Sequence, residues 1–343
     1  MKIADFDYEL PEKLIAQQPL TDRAASRMLI VDRSSGQISD TEFLKFQKFL
    51  HSGDTLVLNN TKVFPARLLG ISDTGAKVEV FLVREMSDGV WQVLARPAKR
   101  LPVGKQIRFG ESLTAEVVEK LTDGQLAIDF TPPENLAALV DKLGRTPLPP
   151  YIKRDAGEVD ADRVRYQTVF AKNRGAIAAP TAGLHFTRDV LDDIRGKGVM
   201  VCEITLHVGY GTFEPVRVDD LSQHRVLPEE YRIDSETAET LNRSKKDGRR
   251  IVAVGTTTTR TLENAIEKHG RFVTENAFAE LTVTPGFRFK AVDALLTNFH
   301  LPRSSLLVLV STFAGHELTM NAYHHAVRSR YRFYSYGDCM LIV

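Results

Sequence analysis

Between residues 66 and 130 the chain changes texture, and this shift constrains its fold more than any other feature. Short β-rich runs at 77–83, 91–95, 106–109, 113–118 and 126–130 are separated by turn signals at Asp73 to Gly75, Asp88-Gly89, Val103-Gly104 and Asp123-Gly124. Strands at this spacing predict a small antiparallel barrel or sandwich. The stretch 144–150, with Pro147, Pro149 and Pro150, reads as the exit from it.

The flanks follow another rule. Residues 41–51 have helical spacing, and 54–58 form a short apolar strand leading into Asn59-Asn60-Thr61. After the prolines, apolar runs at 176–179, 199–206, 251–254, 278–283 and 306–312 suit buried strands. Amphipathic runs at 187–198, 235–248, 259–270 and 318–331 suit helices. Such alternation specifies an α/β domain. The expected architecture is therefore a discontinuous α/β domain, 1–64 with 151–343, interrupted by a β-barrel-like insert at 65–150. At roughly 150 residues per domain, 343 residues agree with two.

Composition excludes several function classes. Lys plus Arg is 45 against 44 for Asp plus Glu, so there is no general cationic coat for nucleic acid, only room for local patches. The two isolated cysteines, Cys202 and Cys339, fit a reducing compartment and cannot supply a four-cysteine zinc site. The start turns acidic at once, without the apolar core of a secretion signal, and no apolar run is long enough to span a bilayer. A cytoplasmic protein without membrane contact or metal is the expectation.

Four constellations could carry chemistry. In Gly255-Thr256-Thr257-Thr258-Thr259-Arg260, a buried strand meets a glycine, hydroxyls and a guanidinium as a helix begins, a combination suited to a carboxylate or phosphate. Simple helix capping by Thr256 or Thr257 is the alternative. In Pro180-Thr181-Ala182-Gly183-Leu184-His185, Gly183 allows close backbone approach and His185 offers a proton near neutral pH, although a plain strand-to-helix turn reads the same. Strand alternation places Glu203, Thr205 and His207 on one face, as in a catalytic cleft or an ordinary edge strand. Asn298, His300 and Arg303 cluster before the apolar run at 306–312. Cations also gather at Arg96, Lys99 and Arg100, at 243–250, and at Arg328, Arg330 and Arg332, the last interleaved with Tyr331, Phe333, Tyr334 and Tyr336 in a pattern suited to RNA. No nucleophile elbow, dinucleotide fingerprint, P-loop or His-Glu-x-x-His is present.

These motifs, in their order, resemble a known family. The runs 5–11, 14–19, 59–67, 96–100, 148–152, 165–169, 179–187, 206–209, 211–213, 255–257, 260–263, 297–304 and 331–333 are similar to those of the S-adenosylmethionine:tRNA ribosyltransferase-isomerases of queuosine biosynthesis. Four positions, in three places, depart from the family pattern. They are Thr258-Thr259, Glu214, and Leu227 where a His-x-x-His-x-Glu stretch beginning at His224 would carry its second histidine.

The resemblance implies that S-adenosylmethionine gives its ribosyl part to the aminomethyl group of a 7-deazaguanine at the tRNA wobble position, releasing adenine and methionine. It implies no cofactor, since the donor is consumed. Under it, His185 and His207 are the acid/base candidates, with Glu203 orienting one of them. Gly183, Gly255, Thr256, Thr257, Arg260, Asn298 and His300 would hold the donor. Arg96, Lys99, Arg100, Arg303, Arg330 and Arg332 would meet tRNA. A methyltransferase using the same donor and a non-enzymatic tRNA-binding protein are the rival readings.

Overall fold

A computed structural model describes residues 1–154, 160–213 and 216–343. The chain divides into two compact units, one of residues 1–62, 150–153 and 167–343, the other of residues 63–149 and 154–166. Strands β1 (Arg27–Val31), β2 (Ile38–Glu42), β3 (Thr55–Asn59) and β4 (Thr61–Val63) come before the insert.

The insert contains β5 (Arg67–Ser72), β6 (Lys77–Ser87), β7 (Val90–Arg96), β8 (Gln106–Phe109), β9 (Leu113–Lys120) and β10 (Leu126–Thr131). They close into a barrel in the order β10-β7-β6-β5-β8-β9. Inward residues alternate with outward ones, as the pattern buried-exposed-buried-exposed along β8 and β9 shows. Gly70 lies where a β-carbon would come within 2.8 Å of Ile107 and the Phe109 ring, so the interior is filled only because that side chain is missing.

Residues 154 and 160–166 were expected in the α/β domain, but they fall with the barrel unit. The insert also forms helices α1 (Leu136–Leu143) and α2 (Asp160–Arg165). Arg163 binds the carbonyls of Asp141 and Gly144, which ties the returning chain to the end of α1.

The other unit continues with β11 (Asn173–Ala176), α3 (Arg188–Gly196), β12 (Met200–Leu206), β13 (Glu229–Ile233), α4 (Ser235–Lys246), β14 (Ile251–Val254), α5 (Thr256–His269), β15 (Glu275–Ala279), β16 (Ala294–Asn298), α6 (Ser305–Ala314), α7 (His316–Arg328) and β17 (Cys339–Ile342). Among the described residues, nine strands form one sheet in the order β15-β13-β12-β3-β14-β16-β17-β1-β2, and β4 pairs with β11 in a separate ribbon. Every residue of β3, β14, β16 and β17 is buried, the signature of a sheet covered on both faces. One core gathers Phe43, Phe46, Phe186 and Ile194 over Leu56, Leu58, Val254 and Leu296 of the sheet. The α/β fold with an inserted barrel is thus present.

Several local expectations are corrected. Residues 306–312 are not a strand but most of α6, whose start is capped when Ser304 Oγ accepts the Leu307 N–H at 3.2 Å. An apolar run of that length is equally a helix buried nearly all round, and periodicity alone does not separate the two. Residues 41–51 form the end of an edge strand and a 3-10 turn, Phe43–Phe49. The strands expected at 176–179 and 278–283 lie earlier in sequence, at β11 and β15. Among the described residues no helix is long and apolar enough to cross a membrane.

Candidate active site

Four neighbouring strands, β12, β3, β14 and β16, run parallel, so their carboxyl ends share one edge of the sheet. That edge is where ligands bind in open α/β sheets. It receives His207 after β12, Asn60 and Thr61 after β3, Gly255 after β14, and Asn298 from the end of β16.

At β14 the chain turns through Gly255, held at φ 94°, directly into α5. This left-handed backbone explains the glycine. The threonines that follow divide by role. Thr258, Thr259 and Thr261 spend their hydroxyls on the carbonyls of Val254, Gly255 and Thr257. Thr256 and Thr257 instead line a pocket with Gly211, Val226, Glu229, Leu281 and Ser305. It spans about 490 Å³ including space open to solvent. The first N–H groups of α5 lack partners within the helix, and the helix dipole adds positive potential there.

Arg260 narrows an expectation. Its guanidinium donates to Glu229 Oε2 at 2.7 Å and to the carbonyls of Leu281, Leu227 and Ala279 at 2.8, 2.9 and 2.7 Å. Four of its five donors are thereby engaged. Arg260 both lines the pocket and braces its wall, with one N–H donor left over for a ligand. Glu229, which sequence reasoning did not select, also accepts the Gly209 N–H.

His224 Nε2 sits 2.7 Å from the pocket hydroxyl of Ser305. The signal for both His224 and Glu229 was their place in the His-x-x-His-x-Glu resemblance. Leu227, at the departing position, offers Arg260 its carbonyl, which any residue supplies, while its side chain lies where a β-carbon on Gly211 would be 2.9 Å away. Glu214, another departure, lies outside the described residues.

His207 is half-buried, with Nδ1 2.8 Å from Thr61 Oγ1. Burial pushes its pKa below the ordinary value, against a smaller opposing effect of Glu230. Glu203 does not orient either histidine. Its Oε2 accepts from Asn60 Nδ2 at 2.9 Å, and at a strand rise of about 3.3 Å per residue its Cα lies about 13 Å from that of His207. Asn60 Oδ1 in turn takes the Thr205 hydroxyl at 2.7 Å and Asn173 at 3.1 Å. Neighbouring Asn59 bonds both the N–H and the carbonyl of Leu206, fixing the end of β12. The asparagine pair was visible at a strand end in the sequence, but nothing there assigned it this bracing role.

His185 lies deeper than expected. It is 4% exposed, with Nδ1 2.7 Å from Ser26 Oγ and Nε2 3.1 Å from Asn298 Nδ2. Burial, with Arg23 and Arg332 adding, pushes its pKa down to about 3. A ring bonded at both nitrogens and kept neutral is a scaffold, which corrects its reading as a proton exchanger. Asn298 Nδ2 also faces the carbonyls of Tyr334 and Asp338, whereas its buried Oδ1 is without a partner among the described residues.

His300 is similarly enclosed. Its Nε2 is 2.9 Å from Thr297 Oγ1 and its carbonyl takes the Tyr8 hydroxyl, so these groups, expected to hold the donor, are spent within the fold. Gly183 sits in a 3-10 turn, Thr181–His185, where a β-carbon would be 2.7 Å from Phe170. Its bareness is therefore explained by packing.

The cations divide. Arg96, Lys99 and Arg100 are exposed around the turn after β7, and Arg330 is exposed after α7. Arg303 pairs with Asp7, and Arg332, half-buried, binds the Gln18 carbonyl. The interleaved aromatics are corrected as stacking surfaces. Tyr331, Phe333, Tyr334 and Tyr336 are all buried, Tyr331 beneath Arg27 and Tyr334 stacked on Tyr151 at 4.2 Å. Cys202 and Cys339 are buried free thiols, and burial pushes Cys202 up to about 12.

A strand-end edge bearing a helix mouth, a pocket and a half-open histidine defines an enzyme of the α/β class. Residues 3–342 match the family model described as queuosine biosynthesis protein. The chain is 48% identical to a Staphylococcus haemolyticus protein and 49% identical to one from Macrococcus caseolyticus, in each case over the full length of both. Both relatives are named S-adenosylmethionine:tRNA ribosyltransferase-isomerase. The crystal structure of S-adenosylmethionine tRNA ribosyltransferase from Thermotoga maritima is similar at 37% identity and a TM-score of 0.56, covering 99% of this chain and all of that one. The chain belongs to the queuosine biosynthesis protein family of ribosyltransferase-isomerases.

Proposed function

We propose that the chain transfers and isomerises the ribosyl part of S-adenosylmethionine onto the 7-aminomethyl-7-deazaguanine at the wobble position of tRNA, releasing adenine and methionine. Full-length identity of 48–49% to relatives that carry this activity in their names supports the assignment of the reaction. The observation that carries the site reading is the pocket at the mouth of α5, after β14, which lies two strands from β12 and His207 along the same sheet edge.

The chemistry needs a base, a leaving-group site and a neutral amine. The donor's sulfonium acidifies the adjoining ribose carbon and later leaves as neutral methionine sulfur. Thr256, Thr257 and the N–H groups after Gly255 receive the donor carboxylate, for which a helix start is suited. Val226, Leu281, Val283, Leu306 and Leu309 supply an apolar wall for the uncharged part of the donor. His207, neutral near pH 7, takes the ribose proton at Nε2.

Glu203 lies half-exposed beside Asn60 and takes a proton from the acceptor's aminomethyl group, leaving the neutral amine that attacks. His185 and Asn298 act as the rigid floor of the site, with Gly183 admitting the packing beneath it. Arg96, Lys99, Arg100 and Arg330 meet tRNA phosphates, so binding weakens as salt rises. The donor is consumed and no further cofactor or metal enters the scheme. The protein works in the cytoplasm.

The test is incubation with S-adenosylmethionine and precursor-bearing tRNA, following adenine release and the mass of the modified nucleoside. Adenine and methionine with a ribosyl-sized mass gain support the reading. S-adenosylhomocysteine would identify a methyltransferase, and tRNA binding without donor loss a binding protein. Either outcome overturns it.

A further inference from the structure

The short ribbon of β4 and β11 lies outside the main sheet, and each of its strands brings one residue to the ring of His207. Thr61 of β4, fully buried, places Oγ1 2.8 Å from Nδ1. Gly175 of β11 lies where a β-carbon would come within 2.6 Å of Nδ1 and Cε1 and 2.7 Å of Nε2. A β-carbon and a ring cannot share that space, so backbone and imidazole are in face contact there. Thr61 Oγ1 also reaches the Asn173 carbonyl at 3.5 Å, an atom that only accepts. With the hydroxyl proton directed to that carbonyl, the oxygen accepts Nδ1–H from the histidine. Nε2 is then the bare nitrogen, and it has no partner among the described residues.

We propose that Thr61 and Gly175 are positioning residues for His207, Thr61 fixing which nitrogen carries the proton and Gly175 fixing the plane of the ring, so that Nε2 alone accepts the substrate proton. This inference rests on the reading of His207 as the base. The ring's own strand end is held from the opposite side by β13, where the His207 N–H meets the Glu230 carbonyl, and the Glu230 carboxylate is the charged group acting on the imidazole. A hydroxyl acceptor favours every form protonated at Nδ1, including the imidazolium. Its loss therefore lowers the ring's pKa and lets neutral rings protonate at Nε2 instead, which removes the base.

Wild type and the variants Thr61→Val, Thr61→Ser, Gly175→Ala and His207→Gln test this by adenine release from about pH 5 to about pH 9. Nitrogen NMR of histidine-labelled protein reads the tautomer. Thr61→Val is expected to lower kcat about 10- to 100-fold, on the scale of lost partners that orient a functional histidine. The KM for S-adenosylmethionine should stay within about twofold, because the donor pocket is untouched. The acid limb of its pH profile moves to lower pH, and its NMR signals shift toward protonation at Nε2. Thr61→Ser restores kcat, limb and tautomer.

Gly175→Ala should lose kcat to a similar extent. If it does not fold, as its melt would reveal, the Thr61 pair and the NMR decide. An inactive His207→Gln beside a Thr61→Val enzyme with wild-type kcat, pH limb and tautomer overturns the positioning role and leaves the base in place. A fully active His207→Gln overturns the base reading itself.

Discussion

Replacing Arg260 by Met tests the brace at the wall of the pocket. The side chains of Arg260 and Glu229 are 7% and 6% exposed, and their charges meet at 2.7 Å. At an effective dielectric constant of about 20, that pair has a gross attraction of about 6 kcal/mol, set against several kcal/mol of desolvation for each ion. The variant keeps the desolvation of Glu229 and loses its partner. It also strands three carbonyls that Arg260 had satisfied. Breaking a buried pair in this way costs about 3–5 kcal/mol.

At about 2–4 °C per kcal/mol, Tm should fall by roughly 6 to 20 °C. Arg260→Lys should recover little, because an ammonium cannot reach four acceptors in fork geometry. Arg260→Met with Glu229→Gln should be less damaging than the sum of the two, because no unpaired carboxylate remains. The assay is a thermal melt of all four variants at fixed pH and salt, together with the KM for S-adenosylmethionine. An Arg260→Met protein melting within about 2 °C of wild type, but with its donor KM raised about 100-fold, would refute the bracing role and leave Arg260 as a donor ligand alone.

Three further outcomes are expected. The acid limb of kcat/KM should lie below the ordinary histidine value of 6.5, since burial lowers the pKa of His207 and the base is neutral only above it; a limb above 6.5 would argue for another base. His185 and His300 are each pushed down to about 3 by burial, so between pH 6.5 and 3 the unfolded chain binds more protons than the folded one. Stability should therefore drop as pH falls through that window and be unaffected by these two groups above it; denaturant melts of His185→Asn should show a shallower pH slope than wild type. Glu263, fully buried in α5, accepts the N–H groups of Lys290, Ala291 and Val292 at 2.8–2.9 Å. Glu263→Gln turns one acceptor into a donor facing a donor, a loss of about 1–3 kcal/mol that a urea melt would register.

The barrel was legible because its evidence is local. Turn pairs such as Asp88-Gly89 punctuate runs with a period of two, and β8 falls on the expected residues. The α5 mouth was legible for the same reason, as Gly255 and its threonines stand side by side in the chain. What remained hidden depends on distant partners. Nothing in the run 306–312 distinguishes a buried strand from α6, since both are apolar on every side. His300 and His207 each stand between two apolar neighbours in sequence, Phe299 and Leu301 or Leu206 and Val208, yet one ring is enclosed with Thr297 and the other half-open beside Thr61. Arg260 reads only as an anion ligand until the chain brings Glu229, 31 positions away, into contact.

The pairing of β1 with β17 bears on how the molecule is made. Met28 lies beside Cys339, and the Arg27 N–H bonds Asp338 across 311 positions of sequence. During synthesis, β1 must wait through nearly the whole of translation for this neighbour, with Met28, Leu29, Ile30 and Val31 unable to reach their final burial. The barrel strands, joined mainly to sequence neighbours, face no such delay. Long-range closure of this kind slows folding and prolongs the exposure of a β-prone apolar segment. In a growing polypeptide, 28–31 thus lacks its parallel neighbour until the chain is nearly complete.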